Sequence, residues 1–240
     1  TAYYYNFVQL LLAIFITSND LHRSKLTAMS ALDSHSQNNT DVVAGKFIGR
    51  CIVFICVNMI VFLIAMCYNL VYYPNSFSVL YYLFYGITLT FPVLIYSLSL
   101  SILITRFINN QWISTLVLLI IGGAIFNGAG VMYGVFDPLA RYIPNMFSDF
   151  TGHVNLENYL LQRGSVFLAG IGFLALSIIF YPRIPNCTFV FKRCISVACI
   201  LFILAGAWLL LIISGKRQLM IPEIFTGKHT TNTWDAPKQM

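Results

Sequence analysis

The feature that most constrains this chain is a set of long apolar segments, of which Phe47 to Leu70 is the clearest. That segment contains one charged residue, Arg50, near its start. A helix needs about 20 residues to cross a hydrocarbon core of roughly 30 Å, because each residue advances it by about 1.5 Å. The segment therefore predicts a membrane-spanning helix.

Composition extends this prediction to the whole chain. Of its 240 residues, 58% are hydrophobic and 9% are charged, whereas charged residues make up about 25% of a soluble domain. We therefore expect an all-α fold, a polytopic transmembrane helix bundle of about six spans. The predicted spans are Tyr3 to Thr17, Phe47 to Leu70, Val79 to Arg106, Trp112 to Gly134, Gly164 to Tyr181 and Cys194 to Ser214.

Basic residues are unevenly distributed among the connections between these spans. With the N-terminus of the chain outside, residues 18–46, 107–111 and 182–193 are cytoplasmic, and residues 71–78 and 135–163 are external. Counting span ends, the cytoplasmic connections carry eight Lys and Arg residues and the external ones carry two. Because cytoplasmic loops are enriched in Lys and Arg, this orientation is expected. The net charge of +6 is interpreted in this way and not as a nucleic-acid-binding face.

The first cytoplasmic connection contains a segment with helical spacing of apolar residues. Asp20 to Leu32 places Leu21, Leu26 and Met29 among charged residues. This pattern predicts a short amphipathic helix, with Asn19 or Asp20 as its cap. A polar linker follows it.

A second helix is expected to begin at Thr40 or Asp41 and to continue through Gly45 and Lys46 into the membrane. The Gly-Lys pair does not belong to a phosphate loop, which has the pattern G-x-x-x-x-G-K-[ST]. Thr40 occupies the position of the first glycine, and Phe47 occupies that of the final Ser or Thr. Lys46 is therefore interpreted as a cation that snorkels at the membrane boundary, and the chain carries no nucleotide-binding motif of its own.

Other catalytic and metal-binding patterns are lacking in the sequence. There is no H-E-x-x-H, the four His residues are scattered at positions 22, 35, 153 and 229, and no C-x-x-C pair occurs among the six Cys residues. We therefore expect neither an enzyme nor a metal site. No predicted span contains an Asp or Glu in its interior, which argues against an ion-coupled carrier, because such carriers place ionisable groups near the midplane.

Three further features bear on packing. Pro92 is expected to kink the third span, and Gly122, Gly123, Gly128 and Gly130 are expected to let the fourth span approach a neighbour closely. In the external connection, apolar residues recur at three-to-four-residue spacing between Pro138 and Phe150. Short external helices that lie in the interface or dip back into the protein are therefore predicted across residues 136–162.

The order of these elements resembles the membrane subunit of type 2 ABC exporters, the ABC-2 permease family. In that family a span ends in an acidic residue, and a short helix, a polar break and a Gly-Lys opening the next span follow it. The corresponding stretches here are "FITSND", "LHRSKLTAMSAL", "DSHSQNN" and "DVVAGKFIGR". Short, partly re-entrant helices before the family's last span correspond to "DPLARYIPNMFSDF" ahead of "GSVFLAGIGFLALSIIFYP".

The resemblance implies a function and a set of partners. The chain would be the permease subunit of an ATP-driven exporter in a bacterial inner membrane, with ATP and Mg²⁺ bound by a separate ATPase subunit. A second permease half or a second copy of the chain would complete the transporter, and membrane lipid would surround it. The implied ATPase-coupling residues are Asp20, Arg23, Leu26, Met29, Leu32, Gly45 and Lys46.

Residues 1–185 carry the resemblance, and residues 186–240 add a further helix and an external tail. The family's first span is missing and the chain starts without Met, so we expect a piece of a longer or tandem permease. Two alternatives stay open. The first is a non-transporting scaffold or anchor module of a larger protein, and the second is a secondary carrier. The sequence does not identify the transported substrate.

Overall fold

The part of the chain that the structure describes is almost entirely helical, as the sequence predicts. A computed structural model describes residues 2–26, 39–72, 79–108, 110–127, 137–140, 147–148, 152–153, 156–179, 193 and 195–208. Its helices are α1 (Ala2–Leu26), α2 (Asn39–Tyr72), α3 (Val79–Tyr85), α4 (Phe91–Ile108), α5 (Gln111–Phe126), α6 (Leu156–Ile179) and α7 (Ile195–Trp208). A π-helical segment, Gly86–Thr90, joins α3 to α4. Two short strands, β1 (Phe147–Ser148) and β2 (Gly152–His153), pair antiparallel.

Three segments in the described part of the chain are long and apolar enough to cross a membrane. They are Asp41–Tyr72, Val79–Ile108 and Leu156–Ile178, which correspond to the second, third and fifth predicted spans. The six-span count is not confirmed, because α5 and α7 are apolar but shorter and α1 is not among the three. Although α1 has 25 residues, it carries the polar residues Asn6, Gln9 and Thr17, which lower its hydropathy.

α2 is one continuous helix of 34 residues. Asp41 lies in its first turn, where a negative charge is favourable next to the helix N-terminus. The predicted continuity through Gly45 and Lys46 is present in the structure. The last described residue of α2 is Tyr72.

α1 differs from the sequence prediction in its C-terminal part. A separate helix capped at Asn19 or Asp20 was predicted, but α1 runs without a break through both residues to Leu26, so the predicted cap is wrong. No Gly or Pro interrupts α1, and the carboxylate of Asp20 is paired with Arg50 of α2. Residues 27–32 of the predicted coupling helix lie outside the described residues, and that helix is not confirmed.

A kink was predicted at Pro92, and the structure has a π-helical segment just upstream of that residue. The π-helical segment ends at Thr90, and α4 starts one residue before the proline. Proline lacks the N–H that would close the preceding helical turn, and a π turn is a rare irregularity that occurs mostly as a single turn inside an α-helix. The Thr88 hydroxyl donates to the Phe84 carbonyl within this irregular turn, at 2.7 Å.

α4 is the central helix of the bundle. Its buried side chains Leu94, Ile95 and Leu98 pack against Ala13 of α1 and against partly buried residues of α6. The backbones of α4 and α6 approach each other closely at Gly170 of α6, where a Cβ atom would lie 2.9 Å from the backbone nitrogen of Tyr96. α7 also packs on α6, because Phe202 and Trp208 contact its glycines.

The glycines predicted to bring the fourth span close to a neighbour do so only weakly. A Cβ at Gly122 would meet Leu10 at 3.4 Å, an ordinary contact, and one at Gly123 would meet nothing within 4 Å. Gly128 and Gly130 lie outside the described residues. α5 ends at Phe126, short of the predicted Gly134.

The external connection departs from the predicted interfacial helices in its described parts. Residues 137–140 form a buried turn, and residues 147–148 and 152–153 form the strand pair. Ala140 leaves the turn with a φ of 62°, a left-handed conformation that stops helical continuation. Helix resumes at Leu156, and it continues without a break into the predicted fifth span.

Candidate functional site

Polar contacts collect at two opposite ends of the bundle. At the first end, the Arg50 guanidinium donates to the Asp20 carboxylate and forms an ion pair between α2 and α1. The Ser18 and Thr115 hydroxyls share a hydrogen bond of 2.5 Å between α1 and α5. We call this end, where α1 finishes and where α2 and α5 begin, the Asp20 end.

Two shallow hollows flank α1 at the Asp20 end. The hollow between α1 and α2 has a volume of about 250 Å³ and is lined by Ile16, Asp20, Lys46, Gly49, Arg50, Val53 and Phe54. The hollow between α1 and α5 has a volume of about 400 Å³ and is lined by Phe15, Ile16, Ser18, Asn19, Gln111, Trp112 and Thr115. The first contains charged side chains, whereas the second contains only neutral ones.

The structure brings some of the predicted coupling residues together. Asp20 and Lys46 line the same hollow, and Gly45 lies one residue before Lys46 on the exposed first part of α2. Arg23 and Leu26 belong to the last two turns of α1. Met29 and Leu32 lie outside the described residues. Sequence reasoning missed Arg50, although its position four residues after Lys46 places it on the same side of α2.

The backbone at Gly45 and Lys46 is helical. Both residues lie beyond the first turn of α2, so their N–H groups are used inside the helix and do not form the open nest that holds a phosphate. The chemistry available here is that of a basic side chain next to an ion pair, at the start of an apolar helix.

The opposite end is organised around the buried turn of residues 137–140, and we call it the Asp137 end. Arg163 of α6 donates from Nη2 to the Asp137 carbonyl at 2.5 Å and from Nη1 to the Pro138 carbonyl at 3.4 Å. Asn6 of α1 donates to the Leu139 carbonyl at 3.1 Å. Three consecutive carbonyls of the turn are therefore held by side chains from two helices.

The position of Arg163 corrects the sequence analysis, which assigned this residue to an external loop. It is the eighth residue of α6, and 2% of its surface is exposed. Tyr159, Arg163 and Val166 are all buried, and their spacing of four and three residues matches one face of a helix. That spacing was the available signal, but the apolar run used to define the span starts only at Gly164.

Further polar groups are buried at the Asp137 end. The Tyr159 hydroxyl lies 2.8 Å from the Thr88 hydroxyl of the π-helical segment. Within the described part of the chain, Asn6 Oδ1, both polar atoms of Gln9 and Arg163 Nε have no hydrogen-bond partner. Buried groups of this kind retain the capacity to bind water or a polar ligand.

The two ends differ in charge. Among the described residues, the Asp20 end carries six Lys and Arg residues and the Asp137 end carries one, which is buried; the six are Arg23, Lys25, Lys46, Arg50, Arg106 and Arg193. The same described residues contain no group of three or more His, Cys, Asp or Glu side chains that could hold a metal ion.

Comparison with known proteins gave no match, whether with family models, curated proteins or solved structures.

Proposed function

We propose that this chain is the transmembrane permease subunit of an ATP-driven exporter, and that a separate ATPase subunit acts on it at the Asp20 end. The carrying observation is the ion pair that joins α1 to α2 at that end. The Asp20–Arg50 ion pair joins the helices, and α2 then runs unbroken for 34 residues, about 51 Å at the usual helical rise. A push on this end would tilt the whole of α2.

The charge distribution supports placing the Asp20 end in the cytoplasm. Six described basic residues lie at that end and one at the other, and positive charge favours the cytoplasmic side. An ATPase, with its ATP and Mg²⁺, would then meet the coupling residues Asp20, Gly45 and Lys46. The chain itself would supply no ATP chemistry, and a second permease half would complete the pathway.

The Asp137 end fits the exit side of such an exporter. The buried turn of residues 137–140 sits among α1, α4 and α6, since Leu139 packs against Leu10 and Val93 and Arg163 holds the preceding carbonyls. A bundle closed at this end would need to release the turn before substrate could leave.

Helix continuity at Gly45 provides the test. An added Cβ at Gly45 meets no neighbouring helix, because nothing described outside the helix's own backbone lies within 4 Å of it. Gly45→Ala keeps the helix, whereas Gly45→Pro interrupts it. The tagged full chain should be purified in mild detergent from the membranes of its own organism, with its associated subunits, and placed in liposomes. We expect wild type and Gly45→Ala to support ATP hydrolysis and Gly45→Pro to lose most of it, with the ATPase still associated.

Other outcomes would favour the alternatives. Flux driven by an ion gradient without ATP would identify a secondary carrier. A purified complex that contains no ATPase and shows no flux would indicate a scaffold or anchor module. Equal ATP hydrolysis by Gly45→Ala and Gly45→Pro would contradict force transmission through α2.

A further inference from the structure

The hollow between α1 and α2 carries a net positive charge. Arg50 and Asp20 neutralise each other in their ion pair, which leaves Lys46 as the uncompensated charge in the lining. Among the described residues no acidic side chain pairs with Lys46. The Arg50 side chain is only 12% exposed, so its charge is held in place while Lys46 is half-buried at the rim. The hollow therefore suits an anion.

Apolar residues continue from this hollow along one side of α2. Val53 lies in the hollow, and Val57, Ile60 and Ile64 follow it at spacings of four, three and four residues. All four are exposed, by 41% to 65%. From Val53 to Ile64 the helix rises about 16 Å, close to half the thickness of a roughly 30 Å hydrocarbon core. An acyl chain within one leaflet would cover this stripe.

We propose that the hollow is a binding site for an anionic phospholipid. Lys46 contacts the lipid phosphate, the missing side chain of Gly49 leaves room for the headgroup, and an acyl chain lies along the stripe from Val53 to Ile64. A volume of about 250 Å³ is below that of a typical site enclosing a whole ligand, which fits a site that takes a headgroup and leaves the chains in the bilayer. The proposal needs only a membrane location and does not depend on the exporter function.

The neighbouring hollow between α1 and α5 provides an internal comparison. It is larger, but its lining contains no charged residue. A lipid attracted only by apolar surface and space would prefer it. A lipid selected by charge would prefer the hollow that contains Lys46.

The test measures retained lipid on the delipidated full chain in detergent by native mass spectrometry. The probes are phosphatidylglycerol, which is anionic, and phosphatidylcholine with the same acyl chains, which is neutral overall. We expect wild type to retain one phosphatidylglycerol in preference to phosphatidylcholine. Lys46→Gln should reduce that preference about fivefold, which corresponds to roughly 1 kcal/mol for one basic side chain at an anionic surface.

Two glycine variants separate the site from the fold. A Cβ at Gly49 or at Gly45 meets nothing within 4 Å, so Gly49→Leu and Gly45→Leu should both fold. Gly49 lines the hollow and Gly45 does not. Gly49→Leu should therefore lose the retained phosphatidylglycerol, and Gly45→Leu should keep it.

Three results would overturn the proposal. The first is equal retention of the two lipids by wild type. The second is an unchanged preference for phosphatidylglycerol in Lys46→Gln and Gly49→Leu. The third is thermal stabilisation of wild type by inorganic phosphate alone to the same extent as by phosphatidylglycerol, which would identify a site for free phosphate and not for a lipid.

Discussion

At the scale of single residues, Arg163 is the side chain on which the Asp137 end depends. It is almost fully buried and donates to two carbonyls of the turn of residues 137–140. Its planar guanidinium can address both carbonyls at once, which an ammonium group does less well. A buried carbonyl that loses its donor costs about 1–3 kcal/mol.

We predict that Arg163→Met destabilises the protein by about 2–5 kcal/mol, because it leaves the Asp137 and Pro138 carbonyls without their donor. Arg163→Lys should lose less, since one donor can still reach the turn. The measurement is the unfolding temperature of the detergent-solubilised chain, where this loss corresponds to a decrease of about 5–15 °C. Arg193→Met is the matched control, because Arg193 is exposed. A similar decrease in that control would show that the effect does not come from the buried contacts.

Arg163 also shows what the sequence did not reveal at this scale. Its partners come from a turn 25 residues earlier in the chain, and such a long-range contact leaves no mark in local spacing. The position of Lys46 in the helix that opens the apolar run was predictable, by contrast, because it depends on neighbouring residues of the sequence. Asp20 was recognised as a feature of the connection, but its pairing with Arg50 depends on how α1 and α2 pack.

At the scale of helices, a close backbone contact joins α4 and α6. An added Cβ at Gly170 would meet the Tyr96 backbone at 2.9 Å and 3.0 Å, and a backbone cannot move aside as a flexible side chain can. Helices in a membrane gain little from hydrophobic association, so close packing at small residues carries much of their affinity. The α4–α6 interface therefore depends on Gly170.

We predict that Gly170→Ala destabilises the bundle by about 1–3 kcal/mol, the usual cost of overpacking. Gly123→Ala is the control, because the added methyl group meets nothing within 4 Å and alanine favours the helix by up to about 1 kcal/mol. Thermal unfolding in detergent should show a lower midpoint for Gly170→Ala and an unchanged or higher one for Gly123→Ala. A neutral Gly170→Ala would mean that α4 and α6 separate without cost.

Helix limits were predictable where local chemistry sets them. The continuity of α2 through Gly45 follows from the absence of a breaker, and the interruption before Pro92 follows from the missing N–H of proline. The cap predicted at Asn19 or Asp20 was wrong, because local chemistry alone does not set the structure at these residues. α1 runs through both residues, and the Asp20 carboxylate pairs with Arg50 of α2, a contact between helices that the local sequence does not show.

At the scale of the whole molecule, the all-helical class was predictable from composition, but the number of spans was not. Hydropathy identifies segments such as α2, whose side chains are mainly exposed, more reliably than segments such as α1. The polar residues Asn6, Gln9 and Thr17 of α1 are buried inside the bundle, and Asn6 donates to the Leu139 carbonyl, so the low hydropathy of α1 goes with a position among other helices. The mean hydropathy of one segment contains no information on its contacts with other helices.

The two-ended arrangement leads to a topology prediction. Asp41 is exposed near the Asp20 end, and Glu157 is exposed near the Asp137 end. In a cysteine-free background, we expect Glu157→Cys to react with a membrane-impermeant maleimide in sealed right-side-out vesicles. Asp41→Cys should react only after permeabilisation, because the positive charge at the Asp20 end favours the cytoplasm.

Ile60→Cys provides the control for this experiment. Ile60 is 58% exposed and lies in the middle of α2, so a thiol there should face lipid and react from neither side. Labelling of residues 41 and 157 from the same side would contradict a bundle whose ends lie across the membrane. Labelling of residue 41 alone in sealed vesicles would reverse the orientation, and it would remove the Asp20 end from the reach of a cytoplasmic ATPase.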